Sequence, residues 1–165
     1  MGFTHAAGGA FLGAAAGVLG GDPIAGLAVG ALAALLPDID HPGSLAGRRV
    51  PLLPYVLSAL AGHRGITHTV WFCLGVAFLT GFLAVGFRGW DQAHLAAYAL
   101  LGALSHLALD GLTPSGVSPF APLVLPGKLA RLNHVSGPVA TGTALVEGPL
   151  SVLLLVLALK LGGVF

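Results

Sequence analysis

The sequence predicts an all-α polytopic membrane protein, a helix bundle of about five helices. Three observations carry that expectation. Of the 165 residues, 56% are apolar and 8% charged, against about 25% charged in ordinary soluble domains. Seven basic and six acidic residues are too few to clothe a soluble fold of this length. The apolar residues also fall in runs near the length of about 20 residues that a helix needs to cross a hydrocarbon core. Disorder is excluded, because it requires low hydrophobicity and high charge. A net charge of +1 leaves no basic footprint, so no nucleic-acid partner is expected. One cysteine rules out an internal disulfide framework and any cysteine-rich zinc module. The chain, 1–165, reads as a single membrane-embedded domain.

The first helix is expected over Thr4–Gly20 and the second over Pro23–Leu36, joined by the turn signal Gly20-Gly21-Asp22-Pro23. Gly9, Gly13 and Gly17 recur every four positions, as do Gly26 and Gly30, a spacing that lets membrane helices approach closely. The N-terminus lacks the positive region of a cleavable signal peptide, so none is expected. The third helix, Thr69–Phe87, contains no charge. The fourth, Leu95–Leu109, is interrupted by Ser105 and His106, and the fifth, Thr143–Leu159, by Glu147 and Ser151. Between the second and third helices, the apolar piece from Pro51 to Ala61 suggests a short interfacial or re-entrant helix. Pro114, Pro119, Pro122 and Pro126 exclude a regular helix over most of Asp110–Thr143.

Five crossings place the N-terminus and the Asp38–His68 and Asp110–Thr143 loops on one side. That side holds Arg48, Arg49, Arg64, Lys128 and Arg131, and the other Arg88 and Lys160. The positive-inside rule then puts the shared side in the cytoplasm of a multi-pass inner (cytoplasmic) membrane protein. The same arrangement gathers His5, Asp38, Asp40, His41, His63, His68, His106, Asp110 and His134 on or near the cytoplasmic side, leaving His94 opposite.

Ionisable residues in membrane segments are expensive and face cavities or partners. His106 and Asp110, in SHLALD, stand at i and i+4 on one helical face. They can chelate one divalent ion, or Asp110 can orient the imidazole. His63 and His68, in HRGITH, are five apart and do not share a face; Thr67 is the expected cap of the third helix. Arg64 is a candidate phosphate clamp. In LPDIDHP, Asp38 and Asp40 point to opposite sides of an extended segment, so one can bind metal while the other orients a histidine or caps a turn. Thr4 is the expected N-cap of the first helix, with His5 in its first turn. Such a mixed nitrogen and oxygen set suits zinc, one or two Zn2+ ions, with manganese or iron as alternatives. Cys73 lies inside the third helix as packing.

Thr4-His5, LLPDIDHP (35–42), HRGITHT (63–69) and SHLALDGLTPSGVSPFAP (105–122) together resemble the YdjM-like inner-membrane proteins, described as membrane-bound metal-dependent hydrolases. That family is in turn similar to the zinc-dependent phospholipase C and P1 nuclease superfamily, an all-helical fold with clustered zinc ions. The resemblance implies a phospholipase C/P1 nuclease-like core and a metal set drawn from His5, Asp38 or Asp40, His63 or His68, and the HxxxD pair His106 and Asp110. The chain lacks a second histidine-rich HxxxE or HxxxD helix, which argues for one or two ions over three. The expected activity is hydrolysis of a phosphoester in a lipid, lipid-linked or phosphorylated small-molecule substrate by metal-activated water. Asp38 or Asp40 would serve as general base and Arg64 would hold the phosphate. The alternatives are a metal or ion transporter, or a metal-stabilised scaffold for a regulatory partner. The expected surroundings are the lipid bilayer.

Overall fold

The computed structural model describes residues 2–61, 65–139 and 144–164. They form six α-helices: α1 Gly2–Gly20, α2 Pro23–Ala33, α3 Leu53–Ala61, α4 Val70–Arg88, α5 Leu95–Gly111 and α6 Ala144–Leu161. No strand is present among the described residues, only a single antiparallel bridge between Val117 and Val135. Helices α1 and α5 lie at the centre: α1 packs on α2, α5 and α6, and α5 also packs on α2 and α4. Among the described residues three stretches are long and apolar enough to cross a membrane, Gly2–Gly20, Pro23–Asp40 and Val70–Arg88. Helix α5, expected as a further crossing, has 17 residues and carries buried Ser105, His106 and Asp110.

The glycine rows of α1 and α2 make the tightest contact. A methyl group added at Gly9 would collide with the Gly30 carbonyl oxygen, and one at Gly13 with that of Gly26. Gly102 brings α5 against the same Gly30 carbonyl. Without side chains there, three backbones meet at one level and gain dispersion contacts that lipid cannot match. The turn between α1 and α2 is fixed by Asp22, whose carboxylate accepts the Ala25 N–H at 3.0 Å, followed by Pro23 at the first helical position.

Three local expectations are corrected. Helix α2 ends at Ala33, short of Leu36, and Asp38 and Asp40 lie in a 3-10 turn, Pro37–Asp40, instead of an extended segment. Pro37 has no N–H and cannot prolong the helical ladder. Thr4 lies inside α1 and does not cap it; its Oγ1 meets Ser151 Oγ of α6 at 2.9 Å. The cap of α4 is Thr69, whose Oγ1 accepts the Phe72 N–H at 3.3 Å, while Thr67 lies in the preceding turn Ile66–His68.

The short helix anticipated near Pro51–Ala61 is α3, which packs on the Pro37–Asp40 turn. The proline-rich segment after α5 contains no α-helix among the described residues. It is held by paired 2.8 Å hydrogen bonds between Val117 and Val135 and by the Asn133 amide, which bonds both backbone groups of Leu125. The Val70 N–H donates to Pro119 O at 2.8 Å, joining this segment to the start of α4.

Candidate metal centre

The first turns of α1, the 3-10 turn after α2, the turn before α4 and the last turns of α5 meet at one end of the bundle. They bring His5, Asp38, Asp40, His68, His106 and Asp110 together, all but Asp38 at most 2% exposed. Asp38 is 19% exposed and is the cluster's contact with the outside.

As neutral imidazoles, His106 and His68 have fixed proton positions. His106 Nδ1 lies 2.7 Å from the carbonyl oxygen of Ala34. A carbonyl only accepts, so Nδ1 carries the proton and Nε2 presents a lone pair. The Thr67 hydroxyl donates to Asp40 Oδ2 at 2.9 Å, and its oxygen lies 3.0 Å from His68 Nδ1. With its one proton committed to Asp40, Thr67 accepts from His68 Nδ1–H, and His68 Nε2 likewise presents a lone pair. The two Nε2 atoms face one another at 3.3 Å.

Two carboxylates complete the cage. Asp110 Oδ2 lies 3.4 Å from His68 Nε2 and 3.5 Å from His106 Nε2, and Asp38 Oδ1 lies 3.7 Å from each. A tetrahedral ion bonded at about 2.0–2.1 Å separates its donors by about 3.3–3.4 Å. Both nitrogens and Asp110 are therefore at the spacing of such an ion, with Asp38 slightly wider. Two imidazoles and two carboxylates are also a donor chemistry suited to zinc. The other oxygen of Asp110, Oδ1, lies 3.5 Å from His5 Nε2. The two oxygens of one carboxylate thus face different histidines, the disposition of a bridging ligand. The His5 ring stacks on His106 with centroids 3.8 Å apart. Three overlapping groups offer compact donor atoms: His5, Asp38 and His106; His68, His106 and Asp110; and Asp38, Asp40 and His68.

Of the residues singled out from the sequence, His63 and Arg64 lie outside the described residues. Asp40 faces the Nδ1 side of His68, at 3.8 Å, while Asp38 faces its Nε2. The two carboxylates thus lie on opposite sides of one ring. His41 is exposed and accepts the Gly43 N–H through Nδ1, and His134 is exposed beside Ser118. Sequence reasoning missed the Ala34 carbonyl and the Thr67 relay. Thr67 stood beside His68 in HRGITHT, but the cap rule drew it elsewhere.

Fold and cluster define a membrane helix bundle with a buried histidine and aspartate centre at one end. The chain belongs to the family described as YdjM inner membrane protein, whose model matches residues 1–164. It is 39% identical over 117 residues to the uncharacterized protein YvsG of Bacillus subtilis (strain 168), covering 70% of this chain and 69% of that one. It is 42% identical over 88 residues to the inner membrane protein YdjM of Escherichia coli (strain K12), covering 52% of this chain and 43% of that protein. The match to the Shigella flexneri protein of the same name has the same extent. The aligned segment thus spans less than half the length of the two YdjM proteins. No solved structure matches the chain.

Proposed function

We propose that this protein is a membrane-embedded, metal-dependent hydrolase that cleaves a phosphoester of a lipid or lipid-linked substrate. The observation that carries the reading is the pair of facing Nε2 lone pairs, 3.3 Å apart, inside a buried cage with two carboxylates. Such an arrangement repels itself unless a cation stands among the donors. His68, His106 and Asp110 would hold a first divalent ion, with zinc favoured, leaving Asp38 outside that set for the proton chemistry. His5 and the second oxygen of Asp110 would serve a second. When bound, such ions supply Lewis acidity and lower the pKa of a water.

The chain's own residues do the rest. Thr67 and Asp40 hold the His68 ring, and the Ala34 carbonyl holds His106. Asp38, 19% exposed, would take a proton from the attacking water. Arg64 is assigned the substrate phosphate from the sequence pattern. Apolar grooves near the cluster support an amphiphilic substrate. Leu36, two residues before Asp38, walls two apolar grooves of about 530 and 560 Å3, within the range of about 300–1,000 Å3 for ligand sites. One groove is edged by Arg49 and the other by Thr67. With a multi-pass topology and the cytoplasmic side set by the basic loops, the centre faces the cytoplasm.

Metal content and turnover of the purified protein in lipid nanodiscs test the reading together. Expected are one or two zinc ions per chain and phosphate release from a panel of phospholipids, phosphodiesters and phosphomonoesters. His106→Ala and Asp110→Asn should lose both. Full metal content and turnover in these variants would overturn the site, and zinc flux into proteoliposomes without hydrolysis would favour transport.

A further inference from the structure

We infer that Glu147 of α6 is a positioning residue for His5, acting through one water held between them. The inference rests on the metal-centre reading and extends it to a helix that supplies no donor to the cage described above. His5 Nε2 is the atom turned toward Asp110. If it serves as the donor, the ring proton resides on Nδ1. That Nδ1 is buried and has no hydrogen-bond partner among the described residues, and a buried donor of this kind requires an acceptor or a water.

The acceptor is at hand across a small cavity. A space of about 30 Å3 borders His5, Thr4 and Glu147, with Leu109, Leu112 and Leu150 among its apolar walls. One water needs about 10–15 Å3 and two to four polar partners. The partners have compatible protons. Ser151 Oγ donates to the Glu147 carbonyl at 2.6 Å, so the 2.9 Å contact between Thr4 and Ser151 uses the Thr4 proton. Thr4 Oγ1 keeps a lone pair for the water. A water in this space accepts from His5 Nδ1–H and donates to Thr4 Oγ1 and the Glu147 carboxylate. The same Thr4–Ser151–Glu147 chain fixes the register of α6 on α1, one helical turn from the carboxylate. A histidine held by a carboxylate in this way keeps one tautomer and becomes a stronger ligand.

The test is Zn2+ affinity of the full chain in detergent, measured by competition with a chromophoric chelator. It is joined by 15N spectra of the histidine rings in the metal-free protein. Glu147→Ala should weaken zinc by about 10–100-fold and leave His5 in mixed tautomers. Glu147→Gln, which keeps size and an acceptor oxygen, should recover affinity to within about threefold of wild type. Affinity of Glu147→Ala within about twofold of wild type overturns the inference while leaving the metal centre intact. A Gln variant as weak as the Ala variant also overturns it, making Glu147 a direct ligand. Wild-type protein that binds no Zn2+ overturns the metal centre and this inference with it.

Discussion

The Nε2 atoms of His68 and His106 stand 3.3 Å apart, and each ring holds a proton on its far side, so that as neutral imidazoles neither donates to the other. They come from different elements, 38 residues apart in the chain. Their approach is thus a product of tertiary packing: as neutral rings, their two lone pairs converge on the space that Asp110 and Asp38 also face.

Removing either nitrogen should abolish tight binding. His68→Ala and His106→Ala are expected to lose more zinc affinity than the about 10–100-fold typical of an outer hydrogen-bond loss. Isothermal titration with Zn2+ on detergent-solubilised protein checks this, and an unchanged isotherm for either variant contradicts the cage.

Thr67→Val tests the relay to Asp40 at nearly constant volume. It removes the hydroxyl that joins His68 Nδ1 to Asp40 Oδ2 in a buried setting, and should cost about 1–3 kcal/mol of stability. Thermal unfolding of the metal-free protein measures that loss. Zinc titration of the same variant should show a further weakening, because the His68 tautomer is no longer held.

Chelation should destabilise the protein and zinc should restore it. An ion that binds only the folded state adds about 2.7 kcal/mol when present at 100 times its Kd. The expected result is a lowered Tm in a strong chelator, recovered by Zn2+ and not by Mg2+, whose preference for octahedral oxygen sites fits this donor set poorly. Identical melting curves with and without chelator would contradict it.

Helix packing makes a separate prediction. Gly30→Val puts a side chain against Gly9 and Gly13, where even Cβ has no room, and should destabilise by about 1–3 kcal/mol or more. Gly75 faces open space, so Gly75→Ala should be neutral or stabilising by up to about 1 kcal/mol. Unfolding of both variants in the same detergent separates close packing from a general intolerance of substitution.

The i, i+4 relation of His106 and Asp110 could be read from the sequence because it depends on helical periodicity alone. The glycine rows of α1 and α2 were readable for the same reason. The end of α2 was placed three residues late because Ala34, Leu35 and Leu36 continue the apolar run, while Pro37 acts on the backbone before it. Thr67 and Thr69 flank His68 and are equally good caps by type. Only Asp40, brought in by the Pro37–Asp40 turn, decides that Thr67 turns to the cluster and Thr69 caps α4. The Ala34 carbonyl left no sequence signal, since every residue has one.

That carbonyl has a consequence for how the centre assembles. Pro37 has no amide hydrogen, so it cannot give Ala34 O the short-range bond that a helix end normally finds. His106 Nδ1 fills the gap across 72 residues of chain at 2.7 Å. The break in one helix and the proton inventory of another are therefore settled in the same folding event. On the proposed metal reading, an arriving cation would meet a ring already committed to the nitrogen it offers, a case of preorganisation. Selectivity at this end of the bundle would then be a property of where a helix stops as much as of which side chains face the proposed ion.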